Sequence, residues 1–224
     1  MRIGIIIAMD KEYKQIAALL SDKTELHSEL FQYVSGYIGE NEIILQRCGI
    51  GKVNAAVGAT DMIIGYHPQL IISTGCAGAS SVDVNVRDVV VGSTVAFHDV
   101  YCGPNNAYGQ MQDMPPYYSA PEDLVAKALK ISPVVKEGLI ASGDWFVDST
   151  DKAKEILGHF PDAIAVDMES GSIAQTCYLF KVPFISFRVI SDNVLKENNI
   201  DDYQKFWSEL ADESFGIVKS FIGA

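Results

Sequence analysis

Unbroken apolar runs, rather than alternating ones, mark the strands of this chain. Residues 2–8 are isoleucine-rich and, after Arg2, without a polar break, the pattern of a strand covered on both faces. Residues 70–73 and 183–190 repeat it, 88–95 form a β-branched run, and 138–142 and 163–166 are shorter versions. Helical spacing lies between them. Residues 9–20 put Ile16, Leu19 and Leu20 on one side and charges on the other. Residues 51–66 form a helix of small residues, suited to close packing on a sheet. Further helices are predicted at 121–131, 150–158, 168–180 and about 201–221. Residues 31–38 and 42–48 read as two strands joined by the turn Gly39-Glu40-Asn41.

Two segments stand outside this rhythm. Residues 74–79, Thr-Gly-Cys-Ala-Gly-Ala, read as a small-residue loop after a strand. Residues 98–120 hold Gly, Pro, Asn and four tyrosines without periodicity. An irregular stretch that long is more often functional than filler.

Strands alternate with helices throughout, with no linker and no repeat. The expectation is one domain over residues 1–224, a three-layer α/β/α fold with a mixed, largely parallel central sheet. In such sheets ligands sit beyond the carboxyl ends of strands. Glu12, the 74–79 loop, residues 143–147, Glu169 and Asp192 all fall at or just after predicted strand ends, so they can converge.

Composition narrows the partners. The formal net charge of −12 repels phosphate backbones and argues against nucleic acid. Cys48, Cys76, Cys102 and Cys177 form no CxxC pair, so neither a zinc ribbon nor a thioredoxin-type motif is indicated. Free cysteines in a reducing cytoplasm are expected. The N-terminal apolar run is too short to span a membrane, and no signal-peptide cleavage pattern follows it.

The candidate chemistry lies in carboxyl groups. Asp192 follows the buried run 184–190. Apolar surroundings there would raise its pKa and make it a proton donor near neutral pH; it could equally cap a turn. Asp167 and Glu169 flank Met168 where a strand becomes a helix, which suits the helix dipole. The small apolar sequel, Ser170 to Ala174, points instead to burial, and a buried glutamate needs a partner. Arg188, in an otherwise apolar strand, could supply it. Glu12 sits in a first helical turn and could be a cap. Gly49-Ile-Gly-Lys52 is not a phosphate loop, because Gln46 and Val53 occupy positions where glycine and Ser/Thr are required. The 75–78 glycines lack the rest of a dinucleotide fingerprint. His98 and Cys102 could share a metal only with a second ligand pair, which is missing, so they read as structural. No metal or cofactor is expected.

Together these segments resemble the 5′-methylthioadenosine/S-adenosylhomocysteine nucleosidases of the nucleoside phosphorylase superfamily. The matching pieces run in order: Gly4 to Glu12, Gly49 to Ala56, Ser73 to Gly78, Gly138 to Asp144, Ala165 to Glu169 and Val182 to Asp192. The resemblance implies a nucleoside phosphorylase-like fold and hydrolysis that releases adenine. Asp192 would protonate N7 of adenine and Ser191 would orient that acid or base. Glu12 would hold and deprotonate the attacking water, and the ribose would gain oxocarbenium character. Glu169 would bind ribose hydroxyls, and Arg188 would lie near the water and sugar. Met168 and Met9 would pack on the sugar, Phe146 would stack on adenine, and the backbone of Phe146 and Val147 would read its edge. Cys76 would sit near the water. The resemblance also implies a homodimer in which the long stretch from His98 to Pro115 closes the partner's pocket over an apolar thioether.

The chain departs from the family pattern in places. Cys76 replaces a small residue such as serine, Asp167 a frequent glutamate, and Trp145 a small residue beside adenine. The tail after Asp192 diverges. Rival readings are a purine nucleoside phosphorylase, a futalosine-type nucleoside hydrolase, and a binding protein without activity. Few arginines and a Glu12 that would repel phosphate disfavour the first. The presence of Glu12, Glu169 and Asp192 together disfavours the last.

Overall fold

The computed structural model describes residues 1–209 and 216–223. Its core is one mixed sheet. Strand β1 (Arg2–Ile7) lies between β4 (Asn41–Arg47) and β5 (Leu70–Ala79), parallel to both. Beyond β4 come β3 (Gln32–Ile38) and β2 (Ser21–His27), both antiparallel. On the other side, β5 runs parallel to β10 (Phe184–Asn193). From β10 the sheet continues through β6 (Val89–Phe97), β8 (Val135–Ser142) and β9 (Ala163–Asp167), and β9 pairs back onto the end of β5. Five strands thus close a ring, which leaves them no free edge, and β1, β4, β3 and β2 extend from it. The short β7 (Tyr118–Ser119) pairs with β6.

The apolar run of β1 explains the layering. Ile3, Ile5 and Ile7 join one core cluster, with Ile16 of α1 (Asp10–Ala18), Val125 of α3 (Glu122–Leu129), Phe206 of α6 (Asn199–Glu209) and Phe221 of α7 (Gly216–Gly223). Ile6 faces the other way, towards Ala55, Ala59 and Met62 of α2 (Lys52–Tyr66) and Ile173 and Cys177 of α5 (Ser170–Phe180). A third cluster seats Ala153 and Ile156 of α4 (Thr150–His159) near β8 and β9.

Two expectations are corrected. Residues 74–79 are not a loop: they continue β5, because β10 pairs with every step from Ile71 to Ala79. Asp192 does not follow its strand but lies inside it, since β10 reaches Asn193. The helix predicted over about 201–221 is helical where described, as α6 and α7, and its middle, 210–215, lies outside the described residues. Strand β2 was not anticipated. Its sequence, Ser-Asp-Lys-Thr-Glu-Leu-His, is polar because it forms an exposed edge. The stretch 98–120 is irregular apart from β7.

Close packing of α2 on β1 depends on Gly4. A Cβ there would stand 2.3 Å from Met62 Sδ and 2.6 Å from Ile71 Cδ1. Gly4→Ala is expected to destabilise the fold by about 1–3 kcal/mol through overpacking, read as a lowered thermal midpoint. A Met62→Ala background should recover part of the loss.

Candidate active site

A cleft opens where β1, β5, β9 and β10 end. Nine of the ten residues predicted to form a site line it: Met9, Glu12, Cys76, Phe146, Val147, Met168, Glu169, Ser191 and Asp192.

Glu12 is 2% exposed. Its Oε2 accepts the Met9 amide at 3.1 Å, closing the start of α1, and its Oε1 accepts the Cys76 amide at 2.8 Å. The capping and cleft roles therefore belong to one side chain. Burial raises its pKa, while the Cys76 amide, Arg188 and the Met9 amide oppose that rise. The Cys76 thiol is held protonated by burial and by the Glu12 charge, and it too donates to Glu12.

Asp192 reaches the same cleft through a bulge. Ile190 pairs with Ala77 and Asp192 with Gly78, so Ser191 is the extra residue. A regular strand would send Ser191 and Asp192 to opposite faces; the bulge lets both line the cleft. Asp192 accepts from Ser191 Oγ at 2.6 Å and Asn199 Nδ2 at 3.2 Å. Burial raises its pKa, and those two bonds only partly offset it.

Glu169 precedes α5. Its Oε1 accepts the Gly51 amide at 3.0 Å, at the start of α2. Burial, with the nearby Asp167 charge, lifts its pKa to about 7 against the pull of Arg188.

Arg188 is the one predicted residue off the cleft wall. It is 1% exposed and lies beneath the floor. Its expected partner was Glu169, but that contact is long, 3.9 Å from Nη2 to Oε2. The close partner is Asp167, 2.6 Å from Nε. Arg188 Nη2 also donates to Ser73 Oγ at 2.8 Å and Ser170 Oγ at 3.0 Å. Gly75, its register partner on β5, leaves room for it. A Cβ on Gly75 would lie 2.6 Å from Arg188 Nη1 and 3.0 Å from Glu12 Oε1.

The rim is aromatic. Phe146 and Trp145 are about half exposed, Phe146 meets Tyr203 of α6 edge-on at 5.4 Å, and Lys152 Nζ sits 4.7 Å from the Trp145 ring centre. Residues 143–147 are fastened from behind. Asp144 Oδ1 accepts the Lys52 amide at 2.7 Å, its own amide donates to Asp99 Oδ2 at 2.8 Å, and Asp99 pairs with Lys52 Nζ at 2.8 Å. His98 is buried, with no hydrogen-bond partner at either ring nitrogen. Among the described residues no group of three His, Cys, Asp or Glu side chains could hold a metal.

Sequence reasoning passed over Tyr203 and Asn199. Tyr203 falls in the predicted terminal helix, where nothing in the sequence marks it as facing the cleft. Asn199, which ties Asp192 to the Val147 carbonyl at 2.8 Å, lies in a polar run with no periodic signal.

This ring-closed sheet with a carboxyl-rich cleft is the architecture of a known class. The family described as the phosphorylase superfamily matches residues 2–223. A 5′-methylthioadenosine/S-adenosylhomocysteine nucleosidase of Desulfotalea psychrophila is 40% identical over 223 residues, 97% of this chain and 95% of that protein. The nucleosidase from S. pneumoniae, solved with the transition-state inhibitor MT-ImmA, superposes with TM-score 0.94 at 33% identity, covering 100% of this chain and 99% of the other. Futalosine hydrolase of Helicobacter pylori gives 0.91 at 31% identity, covering 99% and 97%. The chain belongs to the 5′-methylthioadenosine/S-adenosylhomocysteine nucleosidase family.

One guanidinium serves several buried carboxyl groups, so its loss should be severe. Arg188→Met is expected to cost about 3–5 kcal/mol at neutral pH, because Asp167 becomes an uncompensated buried charge. Buried carboxyls with raised pKa bind more protons folded than unfolded, so stability falls as pH rises. Part of the loss should therefore return on acidification towards pH 5, as denaturant titrations at the two pH values would measure.

Proposed function

We propose that the protein hydrolyses the N-glycosidic bond of 5′-methylthioadenosine and S-adenosylhomocysteine, releasing adenine and the 5′-thio-substituted ribose. The observation that carries this reading is the chemical asymmetry of two buried carboxyls in one cleft. Glu12 is held by backbone amides, which can only donate and so favour its anion. Asp192 is held by a hydroxyl and a carboxamide; the Ser191 hydroxyl can turn its proton to the Ala77 carbonyl, 3.2 Å away, and accept from a protonated Asp192. Asp192 can thus keep a proton for N7 of the base while Glu12 takes one from water. Ser191 orients Asp192, and Cys76 donates to Glu12 beside that water. Glu169 takes the ribose hydroxyls, Met9 and Met168 pack on the sugar, Phe146 stacks on adenine and the Val147 backbone reads its edge. Arg188 acts from beneath, through Glu12 and Glu169. The chemistry uses only these groups and water.

Phosphorolysis fits less well, since Arg188 is already bound by Asp167 and Glu12 would repel a dianion. Futalosine-type nucleosides are the second reading, supported by the likeness to the Helicobacter pylori hydrolase. A cytoplasmic location accords with four free cysteines, and among the described residues no helix is long and apolar enough to cross a membrane. The net charge of −12 speaks against nucleic acid as a partner.

Adenine should be released from methylthioadenosine in phosphate-free buffer; a requirement for phosphate would replace this reading with phosphorolysis. A parallel assay with futalosine and S-adenosylhomocysteine ranks the substrates. Asp192→Asn and Glu12→Gln should each lower kcat about 10²-fold or more, and near-normal turnover in either would remove that residue from its role. The wild-type profile should fall on the acid side as Glu12 is protonated and on the alkaline side as Asp192 loses its proton. Burial shifts both limbs to higher pH than free carboxyls would give.

The open rim agrees with a homodimer in which the stretch 98–115 of one subunit covers the other's cleft. Val53, 73% exposed, and Val57 and Ile64 present an apolar stripe on α2. Val53→Glu should shift the sedimentation profile to monomer and raise KM; an unchanged dimer would place the interface elsewhere.

A further inference from the structure

Glu12, Asp167 and Glu169 surround one guanidinium, so the acids outnumber the base at the cleft floor. How Arg188 divides its charge among them decides where the floor can carry a proton. Asp167 ends β9, and its side chain is almost fully buried. Its Oδ2 meets Arg188 Nε at 2.6 Å, Ser170 Oγ at 2.5 Å and the Ser170 amide at 3.1 Å. Ser170 Oγ contacts Ser186 Oγ at 2.8 Å and accepts from both Nε and Nη2 of Arg188. Ser73 holds Nη2 from the other side. Glu169 stands 3.9 Å from the same guanidinium. At equal dielectric the attraction to Asp167 is roughly half again that to Glu169, because it scales inversely with distance. Asp167 is also coupled to the guanidinium through Ser170, whose hydroxyl accepts from Arg188 and donates to Asp167 Oδ2.

We propose that Asp167 is a positioning residue that clamps the Arg188 guanidinium beneath the floor and so keeps it from neutralising Glu169 and Glu12. The inference rests on the hydrolase reading above. Asp167 touches no reacting atom; it acts through Arg188. The serine cage of Ser73, Ser170 and Ser186 fixes the clamp, since each hydroxyl is spent on this network. Every other group near the two glutamates is either a weak acid or distant. These are Cys76 of β5, Cys48 beyond β4, Asp192 of β10, and Tyr203 and Asp202 of α6. His98, which faces Asp167 from the long loop, is kept neutral by burial. The α2 amide of Gly51 supports Glu169 alone. Among the described residues Arg188 is therefore the cation set against the pair, and Asp167 is its nearest claimant.

The test follows carboxyl groups by NMR in the ligand-free protein labelled at the glutamate carboxyl carbon. Glu169 should titrate near neutrality in the wild type. In Asp167→Asn, Arg188 is released towards it and one negative charge is gone, so its titration should move down by about one pH unit or more. Asp167→Glu, which keeps the carboxylate, should restore the wild-type position. The acid limb of kcat/KM should move the same way in Asp167→Asn, with kcat reduced about 10-fold or more as the floor loses its alignment. A folded Asp167→Asn whose Glu169 titration is unmoved overturns the proposal. Should that variant not fold, the wild type decides alone. The Arg188 Nε resonance should hold still while Glu169 titrates, because its partner is Asp167; an Nε shift that tracks Glu169 also overturns the proposal. Neither NMR readout requires turnover, so failure of the hydrolase reading, seen as no adenine release by the wild type, is a separate result.

Discussion

The buried Arg188–Asp167 pair is the interaction on which the cleft depends. A guanidinium taken fully out of water is tolerated only with close, directed partners, and the fold brings one from each neighbouring element. Asp167 comes from β9, Ser170 from the start of α5 and Ser73 from β5, while Ser186 of β10 contacts the Ser170 hydroxyl. Moving any of these elements would strand the charge. The pair thus ties the closure of the strand ring to the geometry of the floor, and it does so through a side chain that never reaches the cleft surface.

Closure of the ring also explains where the site is. Strand β5 pairs with β1 over Leu70–Ser73 and then, as β1 ends, continues along β10 to meet β9 at Gly78 and Ala79. Its last residues leave the flat part of the sheet and become cleft wall. Cys76, Ala77 and Gly78 line the cavity as a result. Small residues are needed there for contact reasons rather than for looseness. Gly75 gives the space in which Arg188 and Glu12 approach one another, and at Gly78 a Cβ would meet Val194 at 2.6 Å.

Periodicity made the layers legible, because β1, β5 and β10 are buried on both faces and carry the continuous apolar runs that such strands need. It failed where pairing, not side chains, decides conformation. Residues 74–79 have too little side chain to signal a strand, and only β10 alongside them makes them one. Strand β2 was invisible for the opposite reason: an exposed edge places no apolar demand on its sequence. At the site, acids at strand ends were readable as a set, and the cleft collects them. The division of Arg188 between Asp167 and Glu169 was not readable, because a spacing of two residues at a strand–helix junction does not fix which carboxylate turns inward. Nor was Asn199, whose position depends on α6 folding back over the cleft.

The two cleft carboxyls show why burial alone cannot assign an acid and a base. Both Glu12 and Asp192 are raised by desolvation, so solvation treats them alike. What separates them is the reversibility of their partners. A backbone amide has no second role, and two of them fix Glu12 as an acceptor whatever the pH. The Ser191 hydroxyl carries a donor and an acceptor on one rotatable group and has the Ala77 carbonyl to turn to, so a protonated Asp192 need not leave a buried atom unpaired. An unpaired donor or acceptor costs about 1–3 kcal/mol, equivalent to roughly one to two pH units at 1.36 kcal/mol per unit. That difference is of the size needed to let one carboxyl hold its proton at a pH where its neighbour across the cleft has lost it. The bulge at Ser191 is what sets this up, since it turns the hydroxyl into the cleft beside the carboxyl it serves.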